Sequence, residues 1–232
     1  MNTYHSILDP IAEVYDKWLF AKDPQRYVKQ LDLMPAQAGC VLDAGCGSGE
    51  LALGLAMRAN LVIGLDFSLG LLERAQQKQQ TRAIGNVIWL VGDVAQPPFA
   101  NEQFDLVVCM NVLHNLPVER ALTCLRALVM PSGRLIVRDQ VARHSRMERL
   151  PTKPLWDAIR RSPNLIRLYG IRQTMHILAT IFTPAASRRS LRPRLFQPAL
   201  FRDILQGLLP GCVIQERDSQ MLALWERPHK LT

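Results

Sequence analysis

The sequence predicts an α/β fold: a seven-stranded, mostly parallel sheet with an antiparallel edge strand, helices on both faces, and a helical lid inserted before the last helix and strand pair. Three observations predict it. Short, almost wholly apolar runs alternate with helical patterns between Cys40 and Asp139, the form taken by a parallel sheet whose strands are buried on both faces. A helix pattern and two short strand patterns close the chain after Pro198. Between these blocks, residues 141 to 194 carry a charge balance unlike the rest.

In chain order, Pro10 to Leu33 reads as one or two helices broken near Asp23-Pro24, because proline lacks a donor and restrains the residue before it. Strands are expected at Cys40–Ala44, Leu61–Leu65, Val87–Val91, Phe104–Cys109 and Arg134–Arg138. Helices fit between them at Glu50–Arg58, Leu69–Gln80 and Val118–Val129. In the last, Leu122, Leu125 and Leu128 recur at three-residue spacing and mark a core face. Pro198–Leu208 reads as a helix stopped by Leu209-Pro210-Gly211. Cys212–Glu216 and Gln220–Trp225 read as strands joined by Arg217-Asp218-Ser219, a pair that suits the antiparallel edge of a parallel sheet. One domain is expected: residues 1–36 a helical cap, 37–140 the core, 141–197 an insert, and 198–232 the closing helix and strand pair.

Composition narrows the class. A hydrophobic content of 48% over 232 residues supports a packed core, which excludes a disordered chain. The first twenty residues carry Asp9, Glu13 and Asp16 with no basic region ahead of an apolar run, unlike a secretory signal. No window offers the apolar length of a membrane span, so a cytoplasmic protein is expected, peripheral to the membrane at most. Cys40, Cys46, Cys109, Cys124 and Cys212 form no C-x-x-C pair and read as buried reduced thiols, with no metal site. Within residues 141–194, twelve basic residues face Glu148 and Asp157, a net of +10 that leaves −2 for the remainder of a chain of net +8.

Val41 to Gly49 (VLDAGCGSG) places a glycine-rich turn between a buried strand and a helix. Glycines there allow a sharp turn and let a ligand approach main-chain N–H groups, although a turn with only a structural purpose looks the same. The neighbouring carboxylates add chemistry. Asp66 ends the second strand 21 residues after Gly45, where a carboxylate accepts both hydrogen bonds of a ribose diol. A dinucleotide enzyme shares that feature, but its glycines run G-x-G-x-x-G, whereas these run G-x-G-x-G with Asp43 two residues ahead. Asp93 follows the third strand, where an adenine amino group needs an acceptor. Taken singly, Asp66 or Asp93 also suits a helix cap or a loop.

With VLDAGCGSGE at 41–50, GLDFS at 64–68, GDVAQPPFANEQFDLVV at 92–108 and PSGRLIV at 131–137, the chain resembles the class I S-adenosylmethionine-dependent methyltransferases, especially the branch of quinone-biosynthetic and other small-molecule enzymes. The resemblance implies a Rossmann-like fold, and S-adenosyl-L-methionine as cofactor with S-adenosyl-L-homocysteine as product. It implies that Gly45, Gly47 and Gly49 lie against the methionine portion, with Asp43 near its amino group. Asp66 would hold the ribose, Phe67 would pack on the adenine, and Asp93 with the N–H of Val94 would read the adenine edge. Tyr15, beside Asp16, resembles a pair in the same branch whose segment covers the cofactor; a helix-face aromatic packed on the core reads the same way. Tyr4 and His5 would reach the site only if the N-terminus folds over it.

Asn111 and His114 follow the fourth strand at the carboxyl edge where such folds bind ligands. Asn111 is expected to contact the cofactor. His114 is the best candidate for a general base, with Asp139 at the end of the fifth strand as a second; for His114 a polar packing residue is the plainer alternative. The N/D-P-P-Y/F signature of many amino-group methyltransferases is absent, which disfavours DNA amines.

The insert bears on the acceptor. Leu165, Ile166, Leu168, Ile171, Met175, Ile177, Leu178, Ile181 and Phe182 lie among Arg160, Arg161, Arg167, Arg172, Arg188 and Arg189, which suits a lid over a hydrophobic substrate, a surface touching anionic lipid, or a lid whose arginines are merely solvated. The leading expectation is methyl transfer to oxygen or carbon of a small hydrophobic acceptor such as a quinone precursor, lipid or secondary metabolite. The alternatives are an RNA methyltransferase using the arginines, which the scarcity of aromatics near them disfavours, and a cofactor-binding module without catalysis.

Overall fold

Alternation of side chains along the strands divides the core into two layers, one on each face of a single sheet. The computed structural model describes residues 12–22, 31, 34–142, 153–181, 195–217 and 219–229. The expectations for Tyr4, His5, the Asp23-Pro24 break, Phe182 and the arginines at 143, 146, 149, 188, 189, 192 and 194 lie outside the described residues.

The strands are β1 (Ala38–Ala44), β2 (Ala59–Asp66), β3 (Val87–Val91), β4 (Phe104–Met110), β5 (Val129–Gln140), β6 (Val213–Arg217) and β7 (Gln220–Glu226). Their spatial order is β3-β2-β1-β4-β5-β7-β6. The first five are parallel, and β7 is antiparallel to both β5 and β6. The strand order reverses between β1 and β4, which opens a crevice at their carboxyl ends. Val41, Leu106, Val108 and Ile136 face one layer; Leu42, Val107, Leu135 and Val137, one residue along, face the other.

The helices are α1 (Ala12–Lys22), α2 (Glu50–Leu55), α3 (Leu69–Thr81), α4 (Val118–Leu128), α5 (Lys153–Ile181) and α6 (Pro198–Leu208). In α4 the expected stripe holds: Leu122, Leu125 and Leu128 are buried with Phe201 and Leu205 of α6. Each fully buried leucine contributes roughly 1.5–3 kcal/mol. On the opposite layer α2 buries Leu51, Leu53 and Leu55. Ser68 caps α3 by accepting from the Leu71 N–H at 3.2 Å, which fixes where β2 hands over to helix.

Two expectations need correction. Strand β3 is not buried on both faces: it is the sheet edge, and Ile88 and Val91 are exposed. The thiols are free but not all buried, since only Cys109 is sealed from water and the other four are half-buried.

Helix α5 is two helical segments meeting at Gly170, whose φ of 77° and ψ of 167° no helix allows. Its Ala158, Leu165 and Ile177 pack on Val14 and Trp18 of α1. The insert leaves and rejoins the core at one place, because Val141 bridges Phe196 and the Ala142 N–H donates to the Phe196 carbonyl at 2.7 Å. Among the described residues no helix is long and apolar enough to cross a membrane.

Candidate active site

The turn after β1 is held by its own backbone. The Gly45 and Cys46 N–H groups donate to the Leu65 carbonyl at 2.7 and 3.1 Å, which ties the turn to the end of β2. Gly45, Gly47 and Gly49 all have positive φ, 78°, 54° and 78°. Their surroundings differ. A Cβ on Gly49 would lie 2.5 Å from the Trp89 ring and 2.7 Å from the Ala75 Cβ, and one on Gly45 would strike Val112, whereas one on Gly47 would meet nothing within 4 Å. Only Gly47 faces open space.

Asp66 is buried, and its two oxygens accept from the Gly47 N–H at 2.8 Å and the Ser68 N–H at 2.9 Å. It therefore fixes the turn as well as ending β2. Phe67, next in sequence, is half-buried. Asp93 is exposed and accepts from the Ala95 N–H at 2.8 Å, folding the loop after β3 back on itself, while the Val94 side chain is buried.

Asp43 is 2% exposed, and its Oδ2 is buried with no hydrogen-bond partner among the described residues. Burial, with the charge of Asp66 adding to it, pushes the carboxyl up to about 7; the Ala52 main-chain N–H opposes both. Asn111, just past β4, has a φ of 60°, its N–H donates to the Arg138 carbonyl at 2.7 Å, and its Oδ1 is likewise buried without a partner. A positive φ at a residue other than glycine is held by its surroundings at some cost. Two orphaned acceptors thus sit at the carboxyl ends of adjacent strands. Buried acceptors of this kind are costly unless something donates to them, and an ammonium-bearing ligand with hydroxyl and amide groups fits that donor requirement.

The two catalytic candidates meet. His114 lies in a short 3-10 turn (Leu113–Asn115) after β4, and Asp139 is the penultimate residue of β5. Asp139 is 0% exposed; its Oδ1 lies 2.7 Å from His114 Nδ1, and its Oδ2 accepts from the His114 N–H at 3.1 Å. The Gln140 N–H also donates to Oδ1, at 2.6 Å. This arrangement orients the ring with Nδ1 inward and Nε2 outward, where Asn115 Nδ2 stands 3.0 Å away. Cysteine nucleophiles are disfavoured here, since desolvation and nearby carboxylates push the Cys46 and Cys109 thiols well up.

Tyr15 lies half-buried on α1, and its neighbour Asp16 contacts the glycine turn. Asp16 accepts a short hydrogen bond from Ser48 Oγ and pairs with Lys78 of α3 at 2.8 Å. Lys78 also reaches Glu50 at 3.1 Å and Ser48 Oγ at 2.9 Å. Ser48, Glu50 and Lys78 were not expected from the sequence; no local pattern links residues that only the packing of α3 beside the turn brings together.

A family of sequences described as a methyltransferase domain matches residues 41–133. The demethylmenaquinone methyltransferase of Lactiplantibacillus plantarum is 30% identical over 166 residues, 67% of this chain and 68% of that protein. The 2-phytyl-1,4-naphtoquinone methyltransferase of Trichormus variabilis is 35% identical over 149 residues, 60% of this chain and 65% of that one. The chain thus spans about two thirds of the length of these curated relatives. A crystal structure of an S-adenosylmethionine-dependent methyltransferase from Aquifex aeolicus superposes with a TM-score of 0.58 at 15% identity, covering 91% of this chain and 97% of that one, which shows the shared fold. With its glycine turn, strand-end acids and sheet order, the chain belongs to the class I S-adenosylmethionine-dependent methyltransferase family.

Proposed function

We propose that this protein transfers a methyl group from S-adenosyl-L-methionine to an oxygen or carbon of a small hydrophobic acceptor, with quinol-type aromatics as the first class to test. The observation that carries the reading is the His114–Asp139 pair at the carboxyl edge of β4 and β5. The naphthoquinone and menaquinone acceptors in the names of the relatives supply the chemical class. In this reading residues 37–140 form the cofactor-binding core, 1–36 its cap, 141–197 the acceptor lid and 198–232 the closing edge.

Bound S-adenosylmethionine supplies an electrophilic methyl on a good leaving group, so alignment of the acceptor carries much of the catalysis. Asp43 and Asn111 take the donors of the amino-acid end against Gly45, Gly47 and Gly49. Asp66 faces the ribose and keeps the turn in place, Phe67 covers the adenine face, and Asp93 with the Val94 N–H meets its edge. Tyr15 and α1 close over the turn. A phenolic or enolic acceptor must lose a proton as the new bond forms. His114 Nε2 takes it, replacing its contact with Asn115, while buried Asp139 holds the Nδ1–H and balances the imidazolium.

The test is methyl transfer from labelled cofactor into demethylated quinols, lipid extract, RNA and protein in parallel. Label in the organic-soluble fraction is expected; label confined to RNA or protein overturns the reading. Tight cofactor binding with no transfer to any acceptor class would favour a binding module.

A further inference from the structure

Resting on the reading of a lipid-soluble acceptor, we infer that the outward face of α5 docks the protein on an anionic lipid bilayer. The inward face of α5 is satisfied by Val14 and Trp18 of α1. About a quarter turn away runs a second, exposed set of apolar side chains: Ile159 and Ile166 before the kink, Ile171 and Met175 after it. These side chains are 53%, 43%, 70% and 64% exposed. An outward apolar stripe on a helix that already has an inward one marks an interaction surface.

Its charge identifies the occupant. Each of these isoleucines is followed by an exposed arginine: Ile159-Arg160, Ile166-Arg167 and Ile171-Arg172. Successive residues on a helix lie roughly 100° apart, so the guanidinium groups flank the stripe instead of standing opposite it. No aspartate or glutamate occurs from Ala158 to Ile181. Arginine stems that lie along an apolar strip and end in headgroup phosphate are the arrangement of an interfacial helix. A second copy of the chain is a poor occupant, since a twofold contact through this face would set like charges together. RNA is a poor occupant too. The aromatic residue described in this part of the helix, Tyr169, is half-buried with Lys17 over its ring at 5.4 Å, so it offers bases no outward platform.

The experiment is cosedimentation of the full chain with vesicles of phosphatidylcholine alone or mixed with phosphatidylglycerol. Binding to the mixed vesicles only is expected, weakening as salt is raised. Arg167→Glu with Arg172→Glu should lower partitioning by about 20-fold or more, at roughly fivefold per arginine lost. Ile171→Asp with Met175→Asp should lower it by about tenfold or more. Arg217→Glu, which reverses one arginine on exposed β6, should leave it unchanged, and circular dichroism should show every variant folded. Absence of binding, an equal loss in the β6 control, or a dimer that the Met175 variant splits into monomers would each overturn the inference. Methyl transfer to a short-chain, water-soluble quinol without vesicles separates the two readings. The wild-type chain should carry it out, and its absence alongside intact vesicle binding would count against the acceptor class alone.

Discussion

One oxygen of the Asp43 carboxyl has no partner among the described residues, and the energetics of this group give a prediction with a definite sign. Folding raises its pKa from the ordinary 3.8 to about 7, so the folded apoprotein holds a proton that the unfolded chain has released. Stability therefore falls as pH rises through that window, and the full penalty stands above about 7. Asp43→Asn should melt above the wild type at pH about 8, with the gap narrowing as pH falls and closing only at about pH 4, as measured by thermal unfolding. Cofactor binding should run the other way: an ammonium partner favours the carboxylate, so wild-type affinity should strengthen with pH up to about 7. The asparagine variant should bind about tenfold or more weakly with little pH dependence. At the base, His114→Gln and Asp139→Asn should each lower kcat by about 10²–10⁴-fold while leaving the cofactor Kd unchanged, and the double variant should be little worse than either, because the pair acts as a unit. Additive losses in a steady-state assay would separate their roles. The strand-end acids were legible in the sequence because each is local to its own strand. The pairing of His114 with Asp139 was not, because it depends on a β4–β5 register that sets Met110 opposite Arg138.

At the scale of elements, the three glycines of one turn have different tasks. Gly49→Ala places a Cβ at positive φ against Trp89 and Ala75, and strain plus overpacking should cost about 2–4 kcal/mol in urea unfolding. Gly47→Ala has the same kind of backbone strain but no clash. It should cost only about 1–2 kcal/mol while reducing cofactor affinity far more than Gly49→Ala does per unit of stability lost. Element types were readable throughout from periodicity and punctuation. The boundaries moved where pairing overrode local pattern. Strand β5 begins at Val129, earlier than expected, because Val129 pairs with Phe104 across an irregularity in the register. Helix α2 ends at Leu55, since the Met57 and Arg58 N–H groups turn back to Gly54 and Leu55. That β3 lies at an edge was invisible, because β3 is as apolar in sequence as the buried strands.

Across the whole molecule, charge and topology divide along the same seam. The cofactor edge is built from β1 to β5, which the chain completes by Gln140, and the positive charge begins just beyond it. The closing strands return to pair with β5 from Arg134 to Gln140, and the described residues of the excursion between them add no strand to the sheet. Its two ends, Val141 and Phe196, lie side by side. Such a detour spans almost no distance, and a short connection can bridge its base at little entropic cost. Replacing residues 142–195 with a brief glycine-serine link should leave a core that still unfolds cooperatively in denaturant; loss of cooperativity would make the insert part of the core. The pinned base makes the detour an exchangeable cassette: its length and surface can change without disturbing the strand order that carries the glycine turn.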